Sequence, residues 1–413
     1  MKKTLLFRQA ILIILMLFSI WSCAKVSGQG SVTMIVSGSV HGQLDPCGWK
    51  KNPLGGLSRR YVKINEIRQD GNNPILLDAG DMFFSTKNLN KDNIESERYR
   101  ANVMLEAYQN IGYDAINIGN YELLSGLEFL KSIDEKYSIP FLSANLKDSK
   151  TGEFLFDPYI IIERNGLSVG IVGVTNLIPD TLESVEATDF IQAGNKIINK
   201  IKNKVDLVAV LANVDRKDQQ ELSSTFSKAD FIFTSGSTNM TRKNSPQKEN
   251  GPYVYSFGKQ GKYLSVLNTD IKNSNEKLVD VSSHQNKIKS INKRFERLQK
   301  KDPEKPLEEI YSNQANVLKL IEQYRQDLGK AEASIKDAVN TLEFETIALS
   351  KAVKDDKDVL AFVDQSLATC NRLDKSVKEN KDAPPSHKGH NHGSKSSKNR
   401  IKNRKPFIAK DKK

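Results

Sequence analysis

The sequence YDAINIGNYELLSG, Tyr113 to Gly126, holds the signal from which the fold can be inferred. Its first half is an apolar run that ends at Gly119 and Asn120, as a buried strand does where it enters a loop. In α/β folds, polar residues just past the strand ends form the functional sites. The stretch therefore predicts a strand followed by a candidate site, and Tyr121 raises the question of whether that site is catalytic.

Further strand-like runs lie on both sides of this stretch, between residues 31 and 259. Several are rich in Val and Ile without clean alternation, which is typical of strands buried on both faces. Amphipathic segments such as residues 97–111 separate them and favour helices. The alternation predicts a layered α/β domain. The predicted strands fall within residues 32–38, 74–80, 113–119, 139–145, 159–164, 167–174, 205–212, 229–236 and 254–259.

The pattern becomes helical after about residue 280. One predicted helix ends at the Pro-containing break of residues 300–306, and a second follows with apolar positions in strict four–three alternation. The pair predicts an antiparallel hairpin over residues 284–339. Its second helix is expected to carry Ile310, Gln314, Val317, Ile321, Tyr324, Leu328, Ala331 and Ile335.

Two segments after the hairpin are expected to return to the main domain. Residues 342–349 alternate like a half-buried strand, and residues 356–373 have the pattern of a final helix. Residues 31–280 plus 341–373 would then form one domain, with the hairpin as an insertion. The hairpin is either a packing or spacer arm or a surface for a protein partner.

The amino terminus has the pattern of an export signal. Lys2, Lys3 and Arg8 precede an apolar run over residues 10–21, which suits a signal peptide better than a membrane span. Residues 20–23 resemble a bacterial lipobox, so residues 1–23 are predicted to be a lipoprotein-type signal peptide with Cys23 as the lipidated residue. Ordinary cleavage and a retained anchor are the alternatives, and each exports the chain to the periplasm or cell envelope.

The positive charge is concentrated at the two ends of the chain. The net charge is +12, whereas residues 26–374 carry about −2 and residues 375–413 carry +10. A near-neutral body makes nucleic acid an unlikely partner. The tail is predicted to be disordered, and it can hold an acidic envelope polymer or serve as a solubilising extension. Its histidines, His387, His390 and His392, are candidates for loose metal binding.

If Cys23 carries lipid, two cysteines remain, Cys47 and Cys370. Export permits a disulfide, but no spacing rule pairs residues so far apart. Both a disulfide and two free thiols stay open.

Seven segments near the strand ends carry a further signal. They are SGSVHGQL, GGLSRR, LLDAGDMFF, YDAINIGNYELLSG, IPFLSANL, FDPYIIIERNGLSVGIVGVTN and YSFGKQGKYLSVLN. In order and approximate spacing, they resemble the bacterial periplasmic 5′-nucleotidase and UDP-sugar hydrolase branch of the metallophosphoesterases, within the calcineurin-like phosphoesterase superfamily. The resemblance covers roughly residues 31–270 and implies a four-layer αββα sandwich with a two-metal site at the strand ends.

The chemistry of that family uses two divalent ions that share a carboxylate, bind phosphate oxygens and activate a water. By resemblance, the residual metal ligands of this chain are His41, Asp81 as the bridging carboxylate, and Asn120. Tyr121 stands where the family has its catalytic histidine, so no catalytic residue is assigned. Neutral residues stand at the other ligand positions, which are Ser39, Asn213, Ser237 and Asn239.

The donor chemistry of this set predicts no stable two-metal centre. Hydroxyls and amides bind hard divalent cations more weakly than carboxylate or imidazole does. Tyrosine, with a reference pKa of about 10, is a poor substitute for a histidine near neutrality. By the resemblance, the first ion would keep His41 and Asp81, and the second only Asp81 and Asn120. No cofactor is expected, and an active form would use a divalent metal such as Mn²⁺ or Zn²⁺.

Three interpretations of this pocket remain open. Its polar groups can satisfy one another or bind water, with no ligand present. A small polar or anionic ligand can be held near Arg59, Arg60 or His41. Residual hydrolysis can use one metal at His41 and Asp81.

The sequence predicts an exported, lipid-anchored protein that acts as a non-catalytic binding or scaffold module at the cell envelope. One alternative is a weak metal-dependent phosphoester hydrolase of the nucleotide type. The other is an envelope polyanion- or metal-binding protein that acts through its tail. No segment after residue 275 resembles the nucleoside-binding domain of longer family members. The sequence therefore offers no counterpart of the domain that selects nucleotides in those members.

Overall fold

The computed structural model describes residues 28–48, 51–242, 245, 247 and 251–374. The predicted signal peptide with Cys23 lies outside the described residues. So does the basic tail with His387, His390 and His392. Within the described ranges, no helix combines the length and the apolarity needed to cross a bilayer.

Within the described residues, ten of the fourteen strands follow the predicted apolar runs, whereas those at residues 146–148, 185–187, 263–271 and 278–280 were not predicted. Two of the strands inside the second sheet are buried at every residue. Such strands are Val- and Ile-rich because both of their faces pack against other layers. In chain order they are β1 (Gly30–Ser37), β2 (Ile75–Asp78), β3 (Ala115–Asn117), β4 (Phe141–Leu142), β5 (Leu146–Asp148), β6 (Tyr159–Arg164), β7 (Leu167–Thr175), β8 (Val185–Ala187), β9 (Leu207–Asn213), β10 (Phe231–Ser235), β11 (Tyr253–Ser256), β12 (Tyr263–Ile271), β13 (Leu278–Asp280) and β14 (Asn340–Ala348).

The helices lie between these strands and after them, and most are amphipathic. They are α1 (Leu57–Gln69), α2 (Ile94–Ile111), α3 (Asn120–Leu123), α4 (Leu127–Asp134), α5 (Phe190–Ile201), α6 (Leu222–Thr225), α7 (Val281–Gln299), α8 (Leu307–Ile310), α9 (Ala315–Lys336) and α10 (Lys357–Leu373). A short 3₁₀ helix, Asp218–Gln220, precedes α6.

The strands form two large sheets. One is seven-stranded in the order β13-β14-β12-β1-β2-β3-β4, and the other is five-stranded in the order β11-β10-β9-β7-β6, while β5 and β8 pair separately. Strands β1 to β4 are parallel, as are β7, β9, β10 and β11. The loops that follow these parallel strands therefore gather at one edge of the molecule.

The layers follow from where the apolar side chains pack. Met34 and Val36 of the first sheet lie in one cluster with Ile171 and Phe233 of the second. Helices α1, α2 and α10 pack on the outer face of the seven-stranded sheet, and α5 packs on the outer face of the other. The order helix, sheet, sheet, helix confirms the predicted four-layer αββα fold.

The helical hairpin leaves the seven-stranded sheet at β13 and returns to it at β14. Helices α7 and α9 pack against each other, with Ile291, Ile321 and Ala331 buried. The prediction that a single second helix carries both Ile310 and Gln314 is wrong. Ile310 ends the separate one-turn helix α8, whose N-cap is Pro306, and Gln314 has non-helical backbone angles of φ −127° and ψ 75°. The apolar spacing continues across this break, so spacing alone could not reveal it.

Cys47 and Cys370 are free thiols. Cys370 is buried in α10, and its Sγ lies 3.7 Å from the carbonyl oxygen of Ser96. Of the two alternatives left open by the sequence, the structure contains the two free thiols.

Candidate functional site

The predicted site residues meet at the edge where the parallel strands of both sheets end. Asp81 follows β2, and Asn120 and Tyr121 follow β3. The fold thus brings together positions up to about 200 residues apart in the sequence. The remaining predicted site residues at this edge are Ser39 and His41 after β1, Asn213 at the end of β9, and Ser237 and Asn239 after β10.

The loops after β1 and β2 hold three non-glycine residues in the left-handed region. The φ angle is 52° at Ser39, 52° at His41 and 62° at Asp81. Such angles are uncommon for residues with a Cβ and persist where neighbours impose them. Here the Ser39 N–H donates to the Gly80 carbonyl at 2.8 Å, and the His41 N–H donates to the Asp81 carbonyl at 2.9 Å. The loop geometry is therefore fixed by the backbone of the neighbouring loop.

Glu122 ties the loops after β2 and β3 together. Its carboxylate accepts the N–H groups of Asp81 at 2.9 Å, Met82 at 2.6 Å and Gly119 at 2.9 Å. Burial, and then the nearby Asp81, raise the pKa of Glu122, while its backbone N–H donors oppose the rise. Glu122 thus acts as a positioning residue below the site.

Asp81 is buried, and its carboxylate is turned toward donors of the protein. It accepts the Tyr121 N–H at 3.1 Å, and the Asn213 side-chain amide and the Gly236 N–H are close enough to favour its charged form. Burial raises the pKa of Asp81, and these donors counteract that rise. The one carboxylate among the predicted ligands is therefore already stabilised by groups of the protein.

Asn213 is fully buried and links both sheets. Its Oδ1 accepts the Asn120 N–H at 3.0 Å, and its Nδ2 donates to the Ser235 hydroxyl at 2.7 Å. A Cβ at position 119 would lie 2.6 Å from the Asn213 Cγ, so only glycine fits there. Asn213 is thus wedged against the backbone of the loop after β3.

The remaining neutral positions are also bonded internally. The Ser39 hydroxyl accepts the Gly236 N–H at 3.2 Å. Gln219 was not predicted as a site residue, yet its Oε1 accepts the Ser237 hydroxyl at 2.8 Å and the Asn239 amide at 3.1 Å. Its only sequence signal is its place in the loop after β9. Asp81, Asn213, Ser39, Ser237 and Asn239 are called the closed network below.

A second group of side chains faces the mouth of the site. The rings of His41 and Tyr121 stack with centroids 4.4 Å apart, and the Lys87 Nζ lies 5.4 Å from the Tyr121 ring centre. Burial, then Lys87 and Lys259, lower the pKa of His41 to about 4. Burial, then Asp81 and Glu122, raise the pKa of Tyr121 to about 12. Both rings are therefore neutral near pH 7.

Lys259, on the loop after β11, is near enough to act electrostatically on His41. The N–H groups that flank it, from Gly258 and Gln260, donate to the carbonyls of Asn239 at 2.7 Å and Ser39 at 2.8 Å. Neither lysine was predicted from the sequence. His41, Asn120, Tyr121, Lys87 and Lys259 are called the open face below. Within the described part of the chain, no hydrogen bond reaches the side-chain polar atoms of these five residues.

Arg59 and Arg60 were named as possible holders of an anion, but both are used in packing. Arg59 donates to the carbonyl oxygens of Pro53 and Leu349 and lies 3.5 Å from Asp355. Arg60 is fully buried and donates to the Tyr113 hydroxyl at 2.8 Å. Both side chains lie on the buried side of α1. Two adjacent arginines in a sequence do not by themselves indicate burial, so this could not be predicted.

The donor set does not fit a pair of divalent cations. Among the residues that the structure describes, no group of three or more His, Cys, Asp or Glu side chains is placed to hold a metal ion. Of the ligands such ions prefer, the site offers one imidazole, stacked on Tyr121, and one carboxylate, bonded to protein donors.

Comparisons with known proteins agree with the fold. No family model matches the chain. Over 263 residues the chain is 24% identical to a 5′-nucleotidase of Vibrio vulnificus, an alignment that covers 54% of this chain and 46% of the relative. The chain thus spans about half the length of the curated relatives it matches.

Solved structures give the same result. A 5′-nucleotidase precursor from Thermus thermophilus superposes with a TM-score of 0.58 at 17% identity, covering 84% of this chain and 60% of that one. The calcineurin-like phosphoesterase YfkN from Bacillus subtilis superposes with a TM-score of 0.54 at 16% identity, covering 84% of this chain and 99% of that one. At such identities the superpositions establish the fold alone.

Proposed function

We propose that this chain, which is related to the 5′-nucleotidase-like members of the calcineurin-like phosphoesterases, is a non-catalytic binding or scaffold module. The observation that carries the proposal is the bonding of Asp81. Its carboxylate accepts the Tyr121 N–H, and the nearby Asn213 amide and Gly236 N–H also favour its charged form, in the position where a two-metal site needs a bridging ligand.

Metal binding at this carboxylate would have to displace the Tyr121 N–H and compete with the nearby Asn213 amide. The Asn213 amide cannot move away easily, because it is wedged against Gly119 and bonded to Ser235. Displacing it would leave buried polar groups without partners, at a cost of about 1–3 kcal/mol for each group. Coordination of a divalent cation by neutral serine and asparagine side chains is weak and would offset little of that cost.

We further propose that the module works outside the cytoplasm. Export and lipid anchoring through Cys23 are inferred from the sequence of residues 1–23. In this arrangement the α7–α9 hairpin is a surface for a protein partner, and the basic tail is a surface for an acidic envelope polymer. Deleting residues 375–413 should abolish polyanion binding if the tail carries it and should leave it unchanged if the folded domain does.

The test of non-catalysis measures metal and turnover on the same samples. The full chain with His387, His390 and His392 changed to Ala, which removes binding by the tail, is incubated with excess Mn²⁺ and desalted. We expect almost no retained metal and no hydrolysis of phosphomonoesters or nucleotides. Asp81→Ala in the same background is the control.

One outcome would overturn the proposal and support the weak hydrolase instead. That outcome is one or two retained ions per chain together with turnover, both lost in Asp81→Ala. Such a result would make His41 and Asp81 the working metal ligands.

A further inference from the structure

The closed network and the open face contain different kinds of group. The closed network contains a buried carboxylate, whereas the open face contains hydrogen-bond donors and two ammonium groups. Asp81 is buried, its carboxylate accepts the Tyr121 N–H, and Asn213, Lys87 and Gly236 also favour its charged form. A cation entering from solvent would therefore meet little free anionic charge at this site.

The open face presents hydrogen-bond donors. An imidazole carries at least one N–H, a phenol one O–H and an asparagine amide two N–H groups. His41, Tyr121 and Asn120 supply these groups, and Asn120 and Tyr121 are only 8% and 9% exposed. Their polar atoms have no hydrogen-bond partner among the described residues, so they are left for water or a ligand.

Two ammonium groups border the same donors. Lys87 lies over the Tyr121 ring, and Lys259 is held between the loops of Ser39 and Asn239. Both also act electrostatically on His41. In the part of the chain that the structure describes, neither lysine forms an ion pair with a carboxylate.

We propose that the open face binds a small tetrahedral oxyanion, of the phosphate or sulfate class, through protein side chains and without a metal ion. Such an anion offers several acceptor oxygens to donors on different sides and gains charge-assisted hydrogen bonds from lysine. The proposal rests on the proposed function, since it assigns a ligand class to the same site. In this proposal, Lys87 and Lys259 supply the positive charge that two metal ions would supply in the site implied by the fold family.

The experiment is a calorimetric titration of the full chain with inorganic phosphate, at low ionic strength and with excess EDTA. The Lys87→Ala/Lys259→Ala variant should bind phosphate about tenfold more weakly, since each exposed ammonium contributes a modest charge interaction. Lys289→Ala/Lys319→Ala removes two exposed lysines of the hairpin and is the matched control for general loss of charge. It should bind as the parent does, because it keeps both lysines of the open face. Any phosphate binding by the tail is common to all three proteins.

The outcomes separate this inference from the proposed function. Lack of phosphate binding in EDTA, or equal loss in both double variants, overturns the oxyanion site and leaves non-catalysis standing. Phosphate binding that requires added Mn²⁺, with turnover, overturns both. Sulfate and acetate titrations distinguish a tetrahedral oxyanion from any anion, and equal affinity for acetate would contradict the proposed class.

Discussion

Asn213 and Asn120 are the same type of residue at the same edge of the molecule, yet they are used in opposite ways. The Asn213 amide is fully buried and joins both sheets through the Asn120 N–H and the Ser235 hydroxyl. The Asn120 side-chain amide has no hydrogen-bond partner among the described residues. Residues below the site thus serve folding, and residues facing it are free for a ligand. This division can be tested by substitution on each side.

The largest effect is expected for Glu122→Ala. The change removes the acceptor of three backbone N–H groups in a buried location, which should lower the free energy of unfolding by about 4 kcal/mol. Chemical denaturation followed by circular dichroism measures it. Glu122→Gln keeps an acceptor oxygen and should lose less. A loss below about 1 kcal/mol for the alanine variant would mean that the loops hold their shape without Glu122.

The next effect depends on pH and concerns Asp78, below the site. Burial raises its pKa to about 6, against hydrogen bonds from the Ser37 hydroxyl at 2.6 Å and the Gly80 N–H at 2.9 Å. Because the folded pKa lies above the ordinary value, this group stabilises the fold at low pH, and the contribution is lost as pH rises through about 6. Asp78→Asn should therefore gain about 3 kcal/mol relative to the parent between about pH 3.5 and 7.5. Exposed Asp92→Asn is the control, and a pH-independent difference would contradict the assignment.

Asn213→Ala and Asn120→Ala test the division directly. Losing the Asn213 amide leaves the Asn120 N–H and the Ser235 hydroxyl without that partner, so unfolding should become easier by about 2 kcal/mol. Losing the Asn120 amide breaks no hydrogen bond with a described residue and should change stability by less than about 1 kcal/mol. The two variants are compared in one denaturant series. Equal losses would remove the distinction between closed network and open face.

The sequence predicted the layers and the strand ends well, because buried strands and the loops after them leave local patterns. The start of α9 was missed, since spacing continues through Gln314 while the backbone does not. The roles of Lys87, Lys259 and Gln219 were missed because each depends on loops from different strands meeting. The bonding of Asp81 was equally hidden, as its donor is the Tyr121 backbone N–H, which has no residue signature.

The smallest expected change in stability concerns Tyr121→Phe. This variant removes a single hydroxyl group and tests whether that group contributes to folding or to phosphate binding. The ring stays stacked on His41, and the lost hydroxyl has no partner among the described residues, so stability should change by less than about 0.5 kcal/mol. Phosphate affinity should nevertheless fall about threefold, the effect of one lost hydrogen bond. Tyr113→Phe is a contrasting control, because its hydroxyl accepts from buried Arg60 and its loss should destabilise the fold. If Tyr121→Phe destabilised the protein as much as Tyr113→Phe, the Tyr121 hydroxyl would belong to the folding framework, and the open face would lose one of its donors.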